Sequence, residues 1–229
     1  MAYAFVRRPD GSVMCRLDTQ EKAVVAQVAQ EVAELIRVDL GWDDEPEAVR
    51  RAAQSDDPLE RLEAEYASTP RSPQDSAVRR LLPDGSDDPG LADELRRMGQ
   101  RDLVDAKLAD LREVMRSIDA IGPISSEIVL APPQAQAWLT ALTDMRLVLA
   151  DRLSLRSDDD LETLRALQEA GLAELGATED ADAAQLRPSA MHEGAEVAGP
   201  DIVLAVYDLL TWLQESLVLA ISRASDTQA

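Results

Sequence analysis

The chain has 229 residues, of which 45% are hydrophobic but only 3% aromatic, and its formal net charge is −21 at pH 7. A surface this negative repels phosphate, so we expect neither direct nucleic-acid binding nor attachment to an anionic membrane. A single cysteine, Cys15, excludes an intramolecular disulfide and a cysteine-rich metal site. A core of Leu, Val, Ile and Ala favours a mainly α fold, so we predict one helical bundle domain over 1–229 with an N-terminal β-hairpin and two acidic loop insertions.

Residues 1–17 predict the β-hairpin. Two short apolar runs flank residues 8–11, whose sequence RPDG is typical of a turn. Asp18 then caps a helix, with Glu21 three residues later as its capping-box partner. The inner stripe predicted for this helix comprises Val24, Val25, Val28, Val32, Leu35 and Ile36.

The middle of the chain predicts a flexible acidic loop followed by two helices. Residues 41–75 are acidic, punctuated by proline and poor in large apolar side chains. A long amphipathic helix follows over 91–121, and a short extended segment begins at Glu127. Pro132 or Pro133 then begins the next helix. The candidate core positions of the long helix are Leu91, Leu95, Leu103, Leu108, Leu111, Met115 and Ile118.

The C-terminal third predicts a helix over about 158–175, a second flexible acidic loop over 176–199, and a last helix that is apolar nearly all round. Leu204, Trp212 and Leu219 lie outside the predicted inner face of the last helix. We therefore hypothesise that these three residues form a surface for a partner or a homodimer. The predicted inner face comprises Ile202, Val206, Leu209, Leu213 and Leu217.

One charged residue, Arg146, falls in the apolar stripe of the helix at 138–153, whereas Asp144 and Asp151 fall on the opposite side, where we expect solvent. An unpaired buried charge is costly, so we interpret Arg146 as part of a structural ion pair between helices. The alternative is an anion-binding arginine in a bundle cavity. The candidate carboxylate partners are Asp105, Asp208 and Glu215.

Cys15 alternates with Val13 and Leu17, on the side of the predicted strand that faces the core. One interpretation is a small buried hydrophobic residue. The other is a redox-sensing thiol whose pKa is lowered by neighbouring arginines. Cys15 is thus our redox candidate.

The sequence favours a protein that is not an enzyme. It shows no nucleophile triad, no glycine-rich phosphate loop and no metal-ligand spacing, and its one histidine, His192, has no companion ligand. We therefore predict no catalytic, cofactor-binding or metal-binding residues and no cofactor. The N-terminus lacks the layout of a signal peptide, so we expect a cytoplasmic protein.

Five stretches together resemble an actinobacterial family of small proteins of unknown function. Genes of that family commonly neighbour the gene of the ClpS adaptor, and members have been described as the oxidative-stress regulator AosR. The last two stretches carry the most unusual strings, and the five cover about half of the chain. They are RRPDGSVMCRLDTQEKAVV, RRLLPD, LVDAKLADLREVM, AWLTALTDMRLVLADRL and VYDLLTWLQESLVLAI.

The resemblance implies a transcription-associated regulator whose oxidised form binds a stress sigma factor and recruits RNA polymerase. A factor that relies on its partner's DNA contacts needs no basic surface, which agrees with the negative charge. Because Cys15 is alone, a thiol switch would have to be intermolecular, or a sulfenic or mixed-thiol cap. The alternative function, suggested by gene neighbourhood, is an adaptor or partner of ClpS-linked proteolysis.

Overall fold

The computed structural model describes residues 3–44, 49, 51–52, 55–61, 70–122, 125–157, 159–163, 165–166 and 200–222. The predicted mainly α architecture with an N-terminal hairpin is confirmed. The elements are β1 (Tyr3–Arg7), β2 (Val13–Arg16), α1 (Thr19–Leu40), α2 (Ser76–Leu81), α3 (Pro89–Ala120), β3 (Glu127–Leu130), α4 (Pro132–Arg152) and α5 (Pro200–Ser222).

The three strands form one antiparallel sheet in the order β1-β2-β3. The hairpin turn uses Gly11 at a φ of 85°, a conformation that glycine adopts without steric cost. β3 pairs along β2, so that Cys15 lies opposite Ile128. The sequence predicts this third strand only as a short extended segment, because four residues carry too little pattern to reveal a strand partner more than 100 positions away.

Helix α1 begins and ends where local signals place it. Asp18 accepts a hydrogen bond from the Glu21 amide at 2.9 Å, and the Glu21 carboxylate accepts one from the Asp18 amide at 2.8 Å. Gly41 ends the helix at a φ of 59°, and its amide donates to the last carbonyls. Of the predicted stripe, Val24 and Leu35 are only partly buried, and the rest is fully buried.

Helix α3 has a buried face that differs from the predicted one in its first half. Leu91, Leu95 and Leu103 are exposed, so their assignment to the core is wrong. The face instead passes through Ala92 and Gln100, whose side-chain amide donates to the Arg71 carbonyl at 2.9 Å. A helical period cannot reveal which turns have a neighbour to pack against. The apolar core positions of the second half are Val104, Leu108, Leu111, Val114 and Ile118.

Helix α4 is the centre of the bundle, because α1, α2, α3 and α5 all pack against it. Trp138 is fully buried and meets the Phe5 ring edge-on, with 6.0 Å between ring centroids. Asp144 and Asp151, which the sequence places toward solvent, are both buried. That expectation is wrong because α4 has neighbours on both sides, so its polar stripe also faces other helices.

Helix α5 is docked on the core through Leu210, Leu213 and Leu217, all fully buried. At its N-terminal end the predicted inner and outer positions exchange: Ile202 is exposed, whereas Leu204 is only 4% exposed. By length and composition alone Ile202–Ser222 could cross a membrane, and it is the one such helix among the described residues. The helix packs against α4 and β1, and 33% of its most apolar window is buried.

Several predicted segments lie wholly or partly outside the described residues. The acidic segment at 176–199 lies entirely outside them, as does His192. The predicted helix at 158–175 is described as helical at 159–163 and 165–166. Within 41–75 the structure describes a 3-10 turn at Trp42–Asp44, helical residues at 58–61, and a non-helical run from 70.

Two glycine substitutions should shift stability in opposite directions. Gly41→Ala should destabilise the protein by about 1 kcal/mol, because an L residue is strained at this positive φ and the added Cβ would meet the Arg71 side chain. Gly99→Ala should stabilise it by about 0.5–1 kcal/mol, because Gly99 lies inside α3 and its added Cβ meets no atom within 4 Å. Urea unfolding measures both, and a Gly41→Ala protein as stable as wild type would contradict the assigned C-cap.

Candidate functional site

Arg146 lies where α4 faces α5 and is held by two neutral side chains. Its Nη1 donates to Gln214 Oε1 at 2.6 Å, and its Nη2 donates to the Tyr207 hydroxyl at 3.3 Å. The guanidinium carbon also lies 5.3 Å from the centre of the Tyr207 ring, a cation–π arrangement. An amide and a phenol therefore take the place of the carboxylate that the sequence predicts.

Thr143 fixes the orientation of the Gln214 side chain. Its amide nitrogen donates to Thr143 Oγ1 at 2.9 Å, and the Thr143 hydroxyl donates to the Leu139 carbonyl at 2.9 Å. The amide oxygen of Gln214 is thereby directed at Arg146. Asp208, one of the predicted ion-pair partners, is instead bound by Arg165.

The buried ion pair of α4 belongs to Asp144. This residue is 2% exposed and accepts a hydrogen bond from Lys107 of α3 at 2.7 Å. Burial raises the pKa of Asp144, and the Lys107 ammonium opposes that rise. Burial and the neighbouring Asp144 charge also raise the pKa of Asp110. The sequence reasoning missed this pair; the one available signal is that both residues lie in stretches that carry the family resemblance.

Asp151 fastens the short helix α2 to the end of α4. It accepts a hydrogen bond from Ser76, and its Oδ1 lies 3.6 Å from Arg80 Nη1. One turn away, Arg152 donates to Asp75, the N-cap of α2, at 2.8 Å. Two carboxylate links therefore hold a helix that is too short to be stable by itself.

A buried lysine binds backbone carbonyls that follow the C-terminal end of α3. Lys22 of α1 donates through Nζ to the Gly122 carbonyl at 3.0 Å and to the Ser125 carbonyl at 2.6 Å. A positive charge at a helix C-terminus interacts favourably with the helix dipole. Lys22 thus joins α1 to the connection between α3 and β3, which is a structural role.

Cys15 is buried in the sheet, with 1% of its surface exposed. Burial raises the pKa of its thiol to about 12, and the negative charge of Glu21 adds to the rise. The expectation that neighbouring arginines lower this pKa is therefore wrong, because desolvation dominates. The geometry is that of a small hydrophobic core residue and weighs against a reactive thiol.

Toward its C-terminal end α5 exposes three large apolar residues, Trp212, Val218 and Leu219, which we call the α5 outer face. Trp212 is 37% exposed and Leu219 is 58% exposed. Leu204, the third residue of the predicted partner surface, is buried and does not belong to this face.

Within the described ranges no group of three or more His, Cys, Asp or Glu residues is arranged to hold a metal ion.

A family model described as a domain of unknown function, DUF2017, matches residues 2–221. The chain belongs to this family. No curated protein and no solved structure matches it.

Removing one partner of the buried Lys107–Asp144 ion pair should lower the stability of the protein. Lys107→Met should destabilise the protein by about 3 kcal/mol at about pH 7, because Asp144 then remains buried without its counter-charge. Replacing both partners, as in Lys107→Met with Asp144→Leu, should restore stability to within about 1 kcal/mol. Chemical denaturation provides the free energies. Arg97→Met is the control, because its pair with Glu94 is half exposed and worth under about 1 kcal/mol.

The loss of folding stability caused by Lys107→Met should also become smaller as the pH falls. An acid whose folded-state pKa is raised stabilises the fold at low pH and loses that contribution as the pH rises through the folded-state pKa. Lys107 is the group that lowers the pKa of Asp144, so its removal raises that pKa further. The free energy of unfolding of the variant should therefore be closer to that of wild type at about pH 5 than at about pH 7. A penalty that does not change with pH would show that Asp144 is not the cause.

Cys15 should be unreactive in the folded protein. A thiol-specific chromogenic reagent at about pH 8 should modify it only after denaturant is added, because the folded thiol is buried and protonated. Stoichiometric modification of the native protein within minutes would contradict its burial.

Proposed function

We propose that this DUF2017 protein is a non-enzymatic, transcription-associated regulator that acts by binding a sigma factor or RNA polymerase. The observation that carries the protein-contact part is the α5 outer face, which exposes Trp212, Val218 and Leu219, with the exposed Glu215 between Trp212 and Leu219 along the helix. The class of partner comes from the sequence resemblance. The sequence motif that resembles the family most specifically, VYDLLTWLQESLVLAI, contains this same face.

The rigidity of α5 favours binding through this face. The opposite side of α5 is anchored by Leu210, Leu213 and Leu217, which are fully buried, so the helix does not need to become ordered when a partner docks. Trp212 is the kind of residue that contributes most to protein interfaces, because one side chain buries a large area. Leu219 supplies a second apolar contact on the same side.

The charge supports protein partners over nucleic acid. With 44 acidic against 23 basic residues, the chain repels the phosphate backbone and favours basic or mixed-charge protein surfaces. A regulator of this kind relies on its partner's contacts with DNA. We leave a thiol switch out of the proposal, because the burial of Cys15 weighs against it.

The test is binding of the full chain to purified actinobacterial sigma factors and RNA polymerase holoenzyme, measured by biolayer interferometry. Leu219→Asp should weaken binding by about tenfold or more, because it replaces the most exposed apolar side chain of this face with a charge. Val38→Asp is the matched control, since Val38 is 68% exposed on α1 and lies outside the α5 outer face. It should bind as wild type does.

Three results would contradict the proposal. Equal binding by the two variants would remove the α5 outer face from the contact. Binding to Clp components and not to the transcription proteins would favour the adaptor function. Light scattering that shows a dimer in wild type and a monomer in Leu219→Asp would assign the face to self-association.

A further inference from the structure

A pocket of about 240 Å³ opens where α2, α4, α5 and the segment after α4 meet. It lies on the side of α5 that faces α4 and is separate from the α5 outer face. Its lining includes Arg80, Arg146, Arg156 and Tyr207, together with the apolar residues Leu147 and Leu155.

The pocket concentrates positive charge in a chain whose net charge is strongly negative. Three guanidinium groups line it, from Arg80, Arg146 and Arg156. Asp151 Oδ1 lies 3.6 Å from Arg80 Nη1 and 4.0 Å from Arg156 Nη2, so one carboxylate serves two arginines. The contacts of Arg146 are with the neutral side chains Gln214 and Tyr207. A second carboxylate, Asp160, accepts hydrogen bonds from the Arg156 and Ser157 amides, so three arginines stand against two carboxylates and the balance stays positive.

Arg146 and Arg80 are held in place before any ligand arrives, whereas the Arg156 side chain is 69% exposed. Gln214 fixes Arg146, and Thr143 fixes Gln214. Arg80 donates to the Leu155 carbonyl at 3.4 Å, which ties it to the segment after α4. Side chains whose rotamers are fixed by such supporting contacts lose little entropy when they bind a ligand.

We propose that this pocket binds a small oxyanion, a phosphate or carboxylate group on a compact molecule, with Arg146 and Arg156 as its main contacts. Guanidinium groups match the geometry of both kinds of oxyanion. The Tyr207 hydroxyl, which accepts from Arg146, can donate a further hydrogen bond, and Leu147 and Leu155 offer an apolar wall for the body of the ligand. The site is independent of the proposed protein contact and gives the protein a means of responding to a metabolite.

The test uses the full chain and two probes, inorganic phosphate and succinate, in isothermal titration calorimetry at constant ionic strength set with chloride. Wild type should bind at least one probe saturably with a stoichiometry near one, and the preferred probe identifies the type of oxyanion. Arg156→Ala and Arg146→Gln should each weaken binding by about tenfold or more, because each removes a charged hydrogen-bond donor. Arg97→Ala, which replaces a half-exposed arginine on α3, should bind as wild type does.

The remaining outcomes overturn the proposal. Heats that do not saturate, or that fall equally in Arg156→Ala and Arg97→Ala, would show general screening of a charged surface. A circular dichroism spectrum and melting temperature close to wild type confirm that Arg156→Ala is folded, which its largely exposed side chain leads us to expect. Loss of protein binding in Arg156→Ala, with no saturable binding of either probe, would assign the pocket to an acidic side chain of a partner.

Discussion

The fold depends on the enclosure of α4 by four other helices. A polar side chain of α4 that faces another helix cannot reach water, so it needs a partner on that neighbour. Asp144 meets Lys107 of α3, Asp151 holds α2, and Arg146 meets Gln214 of α5. Such contacts contribute modestly to the net free energy of folding, but each is costly to break. They therefore fix which helix lies on which side of α4.

The small sheet completes the core at one end and positions α5. The Phe5 amide donates to the Ser216 hydroxyl of α5 at 3.2 Å, and the Phe5 ring packs against Trp138 of α4. This hydrogen bond joins the first strand to the last helix, between two residues that are 211 positions apart in the chain. Cys15, on the neighbouring strand β2, belongs to the same buried core cluster, which explains why it behaves as a packing residue.

Helix α5 separates the two regions with which we associate binding. Its side toward α4 supplies Tyr207 to the pocket lined by Arg80, Arg146 and Arg156, and its opposite side presents Trp212 and Leu219. One rigid element therefore contributes to two surfaces of different chemistry, one cationic and concave, the other apolar and exposed. A helix that is apolar nearly all round is suited to this arrangement, because its core contacts leave a second apolar side free for a partner.

The sequence by itself determined what depends on neighbours along the chain: the long helices, the hairpin turn and the Asp18 capping box. These features follow from residues within a few positions of one another, whose preferences act locally. Only the tertiary structure decided that Asp144 is buried, that Leu204 is inside while Ile202 is outside, and that Arg146 has Arg80 and Arg156 beside it. These facts depend on which distant segment covers a face, and a helical period does not contain that information.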